Sequence, residues 1–477
     1  MNKKMLFIFS SFILFLFAFT KKGTSNPSSS FADTTAPIIF YAKDHKAKSG
    51  VSSNGLLTLT TGLHNDYYLT DSVNSIGYLY IETKSEKLLN YFVKRLPLNI
   101  SIVIDHSGSM EGIKMGYAKR AAKGIIDRLT SQDIVSVVMY DTYVDTVQSP
   151  VNVVDKEKIK AKIDKISPRS STNLWGGAEQ GYQYVQKNFK HGFINRVLLI
   201  SDGNANTGLT DSVLIHSKVK NYIDDSGISI STFGVGLDYN ETLMTDMAET
   251  GAGNYYFIDA PDKMITIFNN ELNDLLNVVA QDMKLKVELP KGVTLLKAYP
   301  LNFVQSGSEI KTRLRDLSSG ETKAMLFTFK VDRGISSTLK FISTLSCTDV
   351  ADGQTKTLTN ENTLIPIKNS DTYRTHFNKE VIKQAVLYNA NERLETAMNL
   401  MERGANKEAE KYLADNNSYL RANSFYVSSD PFLMKIDSIN KSYGIQYSSA
   451  RAVSTDSAKK LQKASKAVNY RIRNKKQ

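Results

Sequence analysis

The chain has 477 residues, 41% of them hydrophobic and 23% charged, which excludes a disordered or fibrous polypeptide and predicts more than one folded unit. Lys and Arg outnumber Asp and Glu by 60 to 48, a formal charge of +12, but Lys3, Lys4, Lys21, Lys22 and a basic C-terminal stretch carry much of the excess, so no nucleic-acid partner is expected from it. The single cysteine, Cys347, rules out an intramolecular disulfide and a cysteine-based zinc site, and reads as a small apolar residue in a strand.

In residues 1–22, Lys3 and Lys4 precede an apolar run over 5–19 that is short for a membrane span. This is the pattern of a signal peptide or, if it stays attached, of an N-terminal anchor. No A-x-A triplet marks a cleavage point, and the lack of a nearby cysteine excludes a lipoprotein anchor. The expectation is an exported protein of the periplasm or cell surface, touching membrane only through this segment. Residues 23–36, rich in Ser and Thr, read as a linker. Within 37–96, Leu57 and Leu59 alternate with Thr58 and Thr60, and Leu79 and Ile81 with Tyr78 and Tyr80, as half-buried strands do.

Over 97–281 apolar runs alternate with amphipathic stretches. Strands are expected at 100–104, 134–140, 197–200, 228–235 and 254–258, and helices at 115–129, 156–166, 174–189, 211–224, 241–249 and 263–279. Strands apolar on both faces and separated by helices imply a mainly parallel sheet covered on both sides, an α/β fold that takes its ligands beyond the carboxyl ends of the strands. The two-residue period returns in 282–367, where Met283, Leu285, Val287 and Leu289 alternate with Lys284, Lys286 and Glu288. This region is expected to pair with 37–96 into a β sandwich that holds the α/β unit as an insertion. Residues 370–477 read as helical: Val386, Ala390, Leu394, Ala397, Met398 and Met401 form one stripe, Gly404 stops that helix, and another starts at Lys407. The basic stretch 459–476 reads as a solvated terminal helix rather than a lipid or nucleic-acid contact.

The chemistry-bearing signal is Asp105-His106-Ser107-Gly108-Ser109-Met110, placed between the first α/β strand and the first helix. Asp105 supplies a carboxylate, Ser107 and Ser109 supply hydroxyls at alternate positions, and Gly108 permits the tight turn. Ser170-Ser171-Thr172-Asn173 precedes a later helix, and Ser201-Asp202-Gly203 follows a central strand, so Thr172 and Asp202 belong at the same sheet edge. Oxygen-only ligands of low total charge suit a hard divalent ion: Mg²⁺ first, with Mn²⁺ or Ca²⁺ as substitutes.

D-x-S-x-S after the first strand, a Thr ahead of a later helix and S-D-G after a central strand resemble the von Willebrand factor type A family. The surrounding words Arg95-Leu96-Pro97-Leu98-Asn99, Ser171-Thr172-Asn173-Leu174, Asn195-Arg196-Val197-Leu198-Leu199, Ser201-Asp202-Gly203-Asn204-Ala205-Asn206 and Gly251-Ala252-Gly253-Asn254-Tyr255-Tyr256 resemble a bacterial exported branch of it. The resemblance covers roughly 98–280 and implies a Rossmann-like domain with a metal-ion-dependent adhesion site of Asp105, Ser107, Ser109, Thr172 and Asp202. It further implies an open coordination position filled by an Asp or Glu of a partner protein.

The bland alternatives are readable too. Ser and Asp at a strand-to-helix turn also serve as helix caps. His106 is expected to turn away from the ion, Asp141 to end its strand, and Gly234-x-Gly236 to be a turn rather than a dinucleotide loop. No general base accompanies the metal loop, so a non-enzymatic, metal-dependent binding module of the cell envelope is expected. Its rival is an envelope scaffold whose metal serves folding alone.

Overall fold

The computed structural model describes residues 48–71, 75–87, 95–169, 171–260, 262–299, 303–448 and 455–475. The expected leader or anchor and its linker, 1–36, lie outside them. Four strands come first: β1 (Ser49–Ser53), β2 (Leu57–Leu63), β3 (Tyr67–Leu69) and β4 (Ser75–Ser85).

The α/β unit follows, with β5 (Leu98–Asp105), β6 (Ile134–Tyr140), β7 (Val144–Asn152), β8 (Ile194–Ser201), β9 (Ser229–Val235) and β10 (Tyr255–Ile258) in the spatial order β10-β9-β8-β5-β6-β7. All neighbours are parallel except β6 and β7. β5 and β8 are buried at every position, as strands between two helical layers must be. The antiparallel edge strand β7 escapes the sequence reading because it has no buried residue to give it a period, and Pro150 lies within it.

The helices are α1 (Ile113–Arg128), α2 (Lys156–Asp164), α3 (Leu174–Lys187), α4 (Ser212–Ser226), α5 (Glu241–Thr250) and α6 (Lys263–Leu276). Asp155, Asn173, Asp211 and Asn240 cap α2, α3, α4 and α5 by accepting backbone N–H groups. Helix α6 stops short of the expected 279, because the β-branched pair Val278 and Val279 opens the next strand.

That strand, β11 (Val278–Glu288), leads into β12 (Val293–Tyr299), β13 (Val304–Ser306), β14 (Glu309–Arg313), β15 (Leu317–Ser318), β16 (Thr322–Val331), β17 (Leu339–Asp349) and β18 (Thr355–Ile367). One sheet runs β1-β2-β4-β16-β12 and the other β13-β14-β11-β17-β18-β3, with β15 beside β11. Strands from both sides of the α/β unit therefore share both sheets. Leu57, Leu59, Leu79 and Ile81 pack with Met283, Val287, Phe327, Phe329, Phe341 and Leu345 in the core between them. Asn360 and Asn362 on β18 donate side-chain amides to the carbonyls of Gly50, Leu59 and Thr61 at 2.9–3.2 Å, joining the sheets by their polar edges. Cys347 is buried in β17, and burial pushes its thiol up to about 11.

Helices α7 (Ser370–Thr375), α8 (Lys379–Glu402), α9 (Asn406–Ala422), α10 (Ser424–Val427), α11 (Pro431–Ser448) and α12 (Thr455–Arg473) complete the chain. The stripe of α8 packs on Tyr78, Tyr80 and Leu326, the outer face of the five-stranded sheet. Gly404 takes φ 73° just beyond α8, the left-handed geometry that ends a helix. The basic helix α12 overturns the solvated reading. Tyr470 and Ile472 are buried, the Tyr470 hydroxyl accepts the Tyr255 N–H at 3.0 Å, and Lys463 donates to the Tyr239 carbonyl at 3.0 Å. Its charges meet partners: Arg473 binds Glu395 and Glu249, and Lys466 binds Glu402. Among the described residues no helix is long and apolar enough to cross a membrane.

Candidate metal centre

Three loops meet at the carboxyl edge of the α/β sheet. β5 ends at Asp105, whose side chain is fully buried. One carboxylate oxygen accepts the Ser107 N–H at 2.9 Å and the other the Ser201 hydroxyl at 2.7 Å. Burial pushes the Asp105 carboxyl above its ordinary range; the Ser107 and Ser201 hydrogen bonds pull it down, and the neighbouring charge of Asp202 pushes it up. The chain then makes a single 3-10 turn, Gly108–Met110, which presents Ser107 and Ser109 side by side with their hydroxyl oxygens 3.1 Å apart.

Asp202 follows β8 and is also fully buried. Its Oδ1 accepts the Ser109 hydroxyl at 2.7 Å. The third loop is held by the backbone: Asp141 gives its carbonyl to the Asn173 N–H at 2.7 Å, and Asn206 Oδ1 takes the Thr172 N–H at 2.8 Å. Thr172 thereby faces Gly203. A Cβ on Gly203 would stand 3.1 Å from Thr172 Oγ1 and 3.7 Å from Ser109 Oγ, so glycine leaves the space in which these hydroxyls meet.

All five expected residues are thus gathered. Ser107, Ser109 and Asp202 touch in a row, Asp105 joins through Ser107, and Thr172 joins across Gly203. Among the described residues no group of three or more His, Cys, Asp and Glu is placed to hold a metal ion. A set of two carboxylates and three hydroxyls is a different kind of donor set, all of hard oxygens, and that chemistry fits a small hard cation.

The neighbouring residues behave structurally. His106 is buried, with its Nδ1 2.9 Å from the Ser167 carbonyl and its Nε2 3.9 Å from Asp141. Asp141 closes the β6–β7 hairpin by accepting the Tyr143 N–H at 2.7 Å. Gly234 packs against the Tyr239 ring, and Gly236 takes φ 80° in a turn. Two contributors went unforeseen. Ser201, read only as part of S-D-G, orients Asp105. Lys114, in the first turn of α1, places its ammonium on Asp202 Oδ2 and 3.2 Å from the Ser109 carbonyl; a cation directly after an acidic loop is the signal that would have marked it.

A doubly covered, mainly parallel sheet whose carboxyl edge gathers hydroxyls and carboxylates defines an α/β binding module. Residues 99–270 match the model of the von Willebrand factor type A domain, and this part of the chain is such a domain. The uncharacterized protein YfbK of Escherichia coli (strain K12) is 36% identical over 199 residues, which are 41% of this chain and 34% of YfbK, so the chain spans about a third of that relative's length. A von Willebrand factor type A structure from Catenulispora acidiphila is similar with a TM-score of 0.62 at 14% identity, covering 80% of this chain and 91% of that one. The ArnB paralog VWA2 from Sulfolobus acidocaldarius is similar with a TM-score of 0.56 at 15% identity, covering 87% and 98%. Both likenesses are of fold, and both extend past residues 99–270 into the flanking sheets and helices. Domains of this kind often mediate protein–protein interaction.

Proposed function

We propose that the protein binds a partner protein in a divalent-metal-dependent way through the loops of Asp105, Ser107, Ser109, Thr172 and Asp202. The observation that carries this reading is the gathering of three hydroxyls and two fully buried carboxylates at one sheet edge, with Ser109 exposed beside Asp202. Ser107, Ser109 and Thr172 are the hydroxyls that would hold the ion, with Asp105 and Asp202 supplying negative charge beside it. Bound there, Mg²⁺ supplies a Lewis-acidic position to which an external Asp or Glu carboxylate adds. Mn²⁺ and Ca²⁺ are the substitutes.

The residues' own roles follow from their contacts. Ser201 and the Ser107 amide fix the Asp105 carboxylate, so it does not rotate away when its charge is needed. The Thr172 backbone is pinned from both sides by Asn206, because the Asn206 N–H also donates to the Thr172 carbonyl at 3.1 Å. Export to the periplasm or cell surface, with the N-terminal run as leader or anchor, places such a module at the envelope.

The test is calorimetric titration of Mg²⁺ into the chain from residue 36 onward, with and without acetate, beside Asp105→Ala. Saturable binding that acetate strengthens and the variant loses supports the reading. Binding that survives in Asp105→Ala at full strength refutes this site.

A further inference from the structure

The contact that the metal reading does not use is Lys114. It is the second residue of α1, where the helix's own partial positive charge disfavours a cation and no acidic residue offsets it. Gly112, with φ 77°, caps the helix without a side-chain bond, so Lys114 is not there for the helix's benefit. Its ammonium instead reaches back over the loop, donating to Asp202 Oδ2 and to the Ser109 carbonyl at 3.2 Å. The stem runs beside Gly236, where a Cβ would make only ordinary van der Waals contact with Lys114 Cε at 3.4 Å and Nζ at 3.5 Å. The two ends of the ion pair differ sharply in exposure, 28% for the Lys114 side chain and 0% for Asp202.

We propose that Lys114 is a tethered counter-ion of the metal site, neutralising Asp202 while no divalent ion is present and competing with that ion for the same carboxylate. The inference rests on the metal reading above and specifies how its affinity is set. A fully buried carboxylate without a cation is expensive to keep ionised, so the metal-free loops need a positive charge at Asp202. Ser109 satisfies Oδ1 with a neutral hydroxyl, and Lys114 alone brings a full charge, to Oδ2. When a divalent ion enters beside Asp202, two like charges would share one carboxylate, and the mobile one leaves. Lys114 is built to leave: its stem is flexible, its head is partly in water, and the loop loses only one backbone contact, at Ser109. The ion therefore binds by exchange with an internal cation, which lowers its affinity and keeps the empty loops closed.

The experiment uses the full chain as wild type, Lys114→Met and Lys114→Arg, with Mg²⁺ alone as probe. Kd is read by calorimetry and the unfolding midpoint by thermal melts in EDTA and in saturating Mg²⁺. Removing a unit charge a few ångströms from the ion, at a site partly screened by water, should tighten Mg²⁺ binding by about tenfold or more in Lys114→Met. Lys114→Arg should stay near wild type. Lys114→Met should melt lower than wild type in EDTA and match or exceed it in Mg²⁺; a merely structural lysine would lower both midpoints alike. Binding in Lys114→Met but not in wild type supports the same exchange in a stronger form. Wild-type binding with an equal or weaker Lys114→Met Kd overturns the proposal and leaves the metal site standing. No binding in any of the three proteins overturns the metal site, and this inference with it.

Discussion

Two buried charged clusters lie in or against the same α/β unit and are built on opposite principles. Away from the metal loops, Arg196 meets Glu271 at 3.2 Å and Asp316 at 3.7 Å, Lys323 meets Glu321 at 2.8 Å, and Arg315 lies 4.0 Å from Glu321. Glu271 also accepts from Ser231, Asn254 and Tyr256 at 2.5–2.8 Å. Each of these carboxylates has a cation within 4.0 Å, supplied by the chain itself. At the metal loops two buried carboxylates have one cation between them, and Asp105 is held by the neutral donors of Ser107 and Ser201. A balanced cluster is complete as it stands. An unbalanced one, whose two carboxylates are fully buried, is a place where folding leaves charge for something else to meet.

The difference can be broken most forcefully at Glu271. Glu271→Gln strands Arg196 in a buried position without its nearer carboxylate, and should cost about 3–5 kcal/mol in urea unfolding. Asp105→Asn, which removes an uncompensated charge while keeping hydrogen-bonding capacity, should leave metal-free stability within about 1 kcal/mol of wild type or raise it. Equal losses from the two substitutions would erase the distinction between the clusters.

A third buried ionisable group sharpens the comparison, because it is kept neutral rather than paired. His64 is 4% exposed, and its Nδ1 accepts the Tyr78 N–H at 3.2 Å. Burial pushes its imidazole down to about 4 from an ordinary 6.5, against the Tyr78 hydrogen bond, which acts the other way. Above pH 6.5 native and unfolded chains both hold it neutral, so it adds no pH dependence there. As pH falls from 6.5 toward 4 the unfolded chain takes up a proton that the native chain refuses. Its share of stability therefore drops by about 3 kcal/mol across that window. The difference in unfolding free energy between wild type and His64→Gln, followed from pH 7 to 4, should show this slope; a flat difference would mean that His64 protonates in place.

A smaller loss than at Glu271 or His64 is expected at the contact between α12 and the α/β unit. Tyr470→Phe removes the acceptor of the buried Tyr255 N–H and should cost about 1–2 kcal/mol, read from the urea midpoint. A neutral outcome would mean that the ring packing of Tyr470 on Tyr255, with centroids 5.5 Å apart, carries the contact alone.

How much of this was legible follows from how local each signal is. Asp105, Ser107 and Ser109 fall within five consecutive residues, and Thr172 and Asp202 each sit beside an element boundary that periodicity marks, so strand order alone gathers them. Lys114 was legible only as a cation just after the Asp105 loop; its partner was not, because the side chain reaches a residue 88 positions away. Helix α12 was misread for a related reason. Its basic residues dominate the pattern 459–476, while the acidic partners that neutralise them, Glu249, Glu395 and Glu402, come from two other helices. Edge strand β7 has no buried face and hence no period to detect.

The most direct test of the central claim, that the unbalanced loops take a divalent cation, is anomalous diffraction from crystals of the full chain grown with Mn²⁺. The account predicts one strong peak bounded by Ser107, Ser109 and Asp202, with the Lys114 ammonium moved off Asp202. Saturating Mn²⁺ that leaves no peak there, with Lys114 still on the carboxylate, would contradict it.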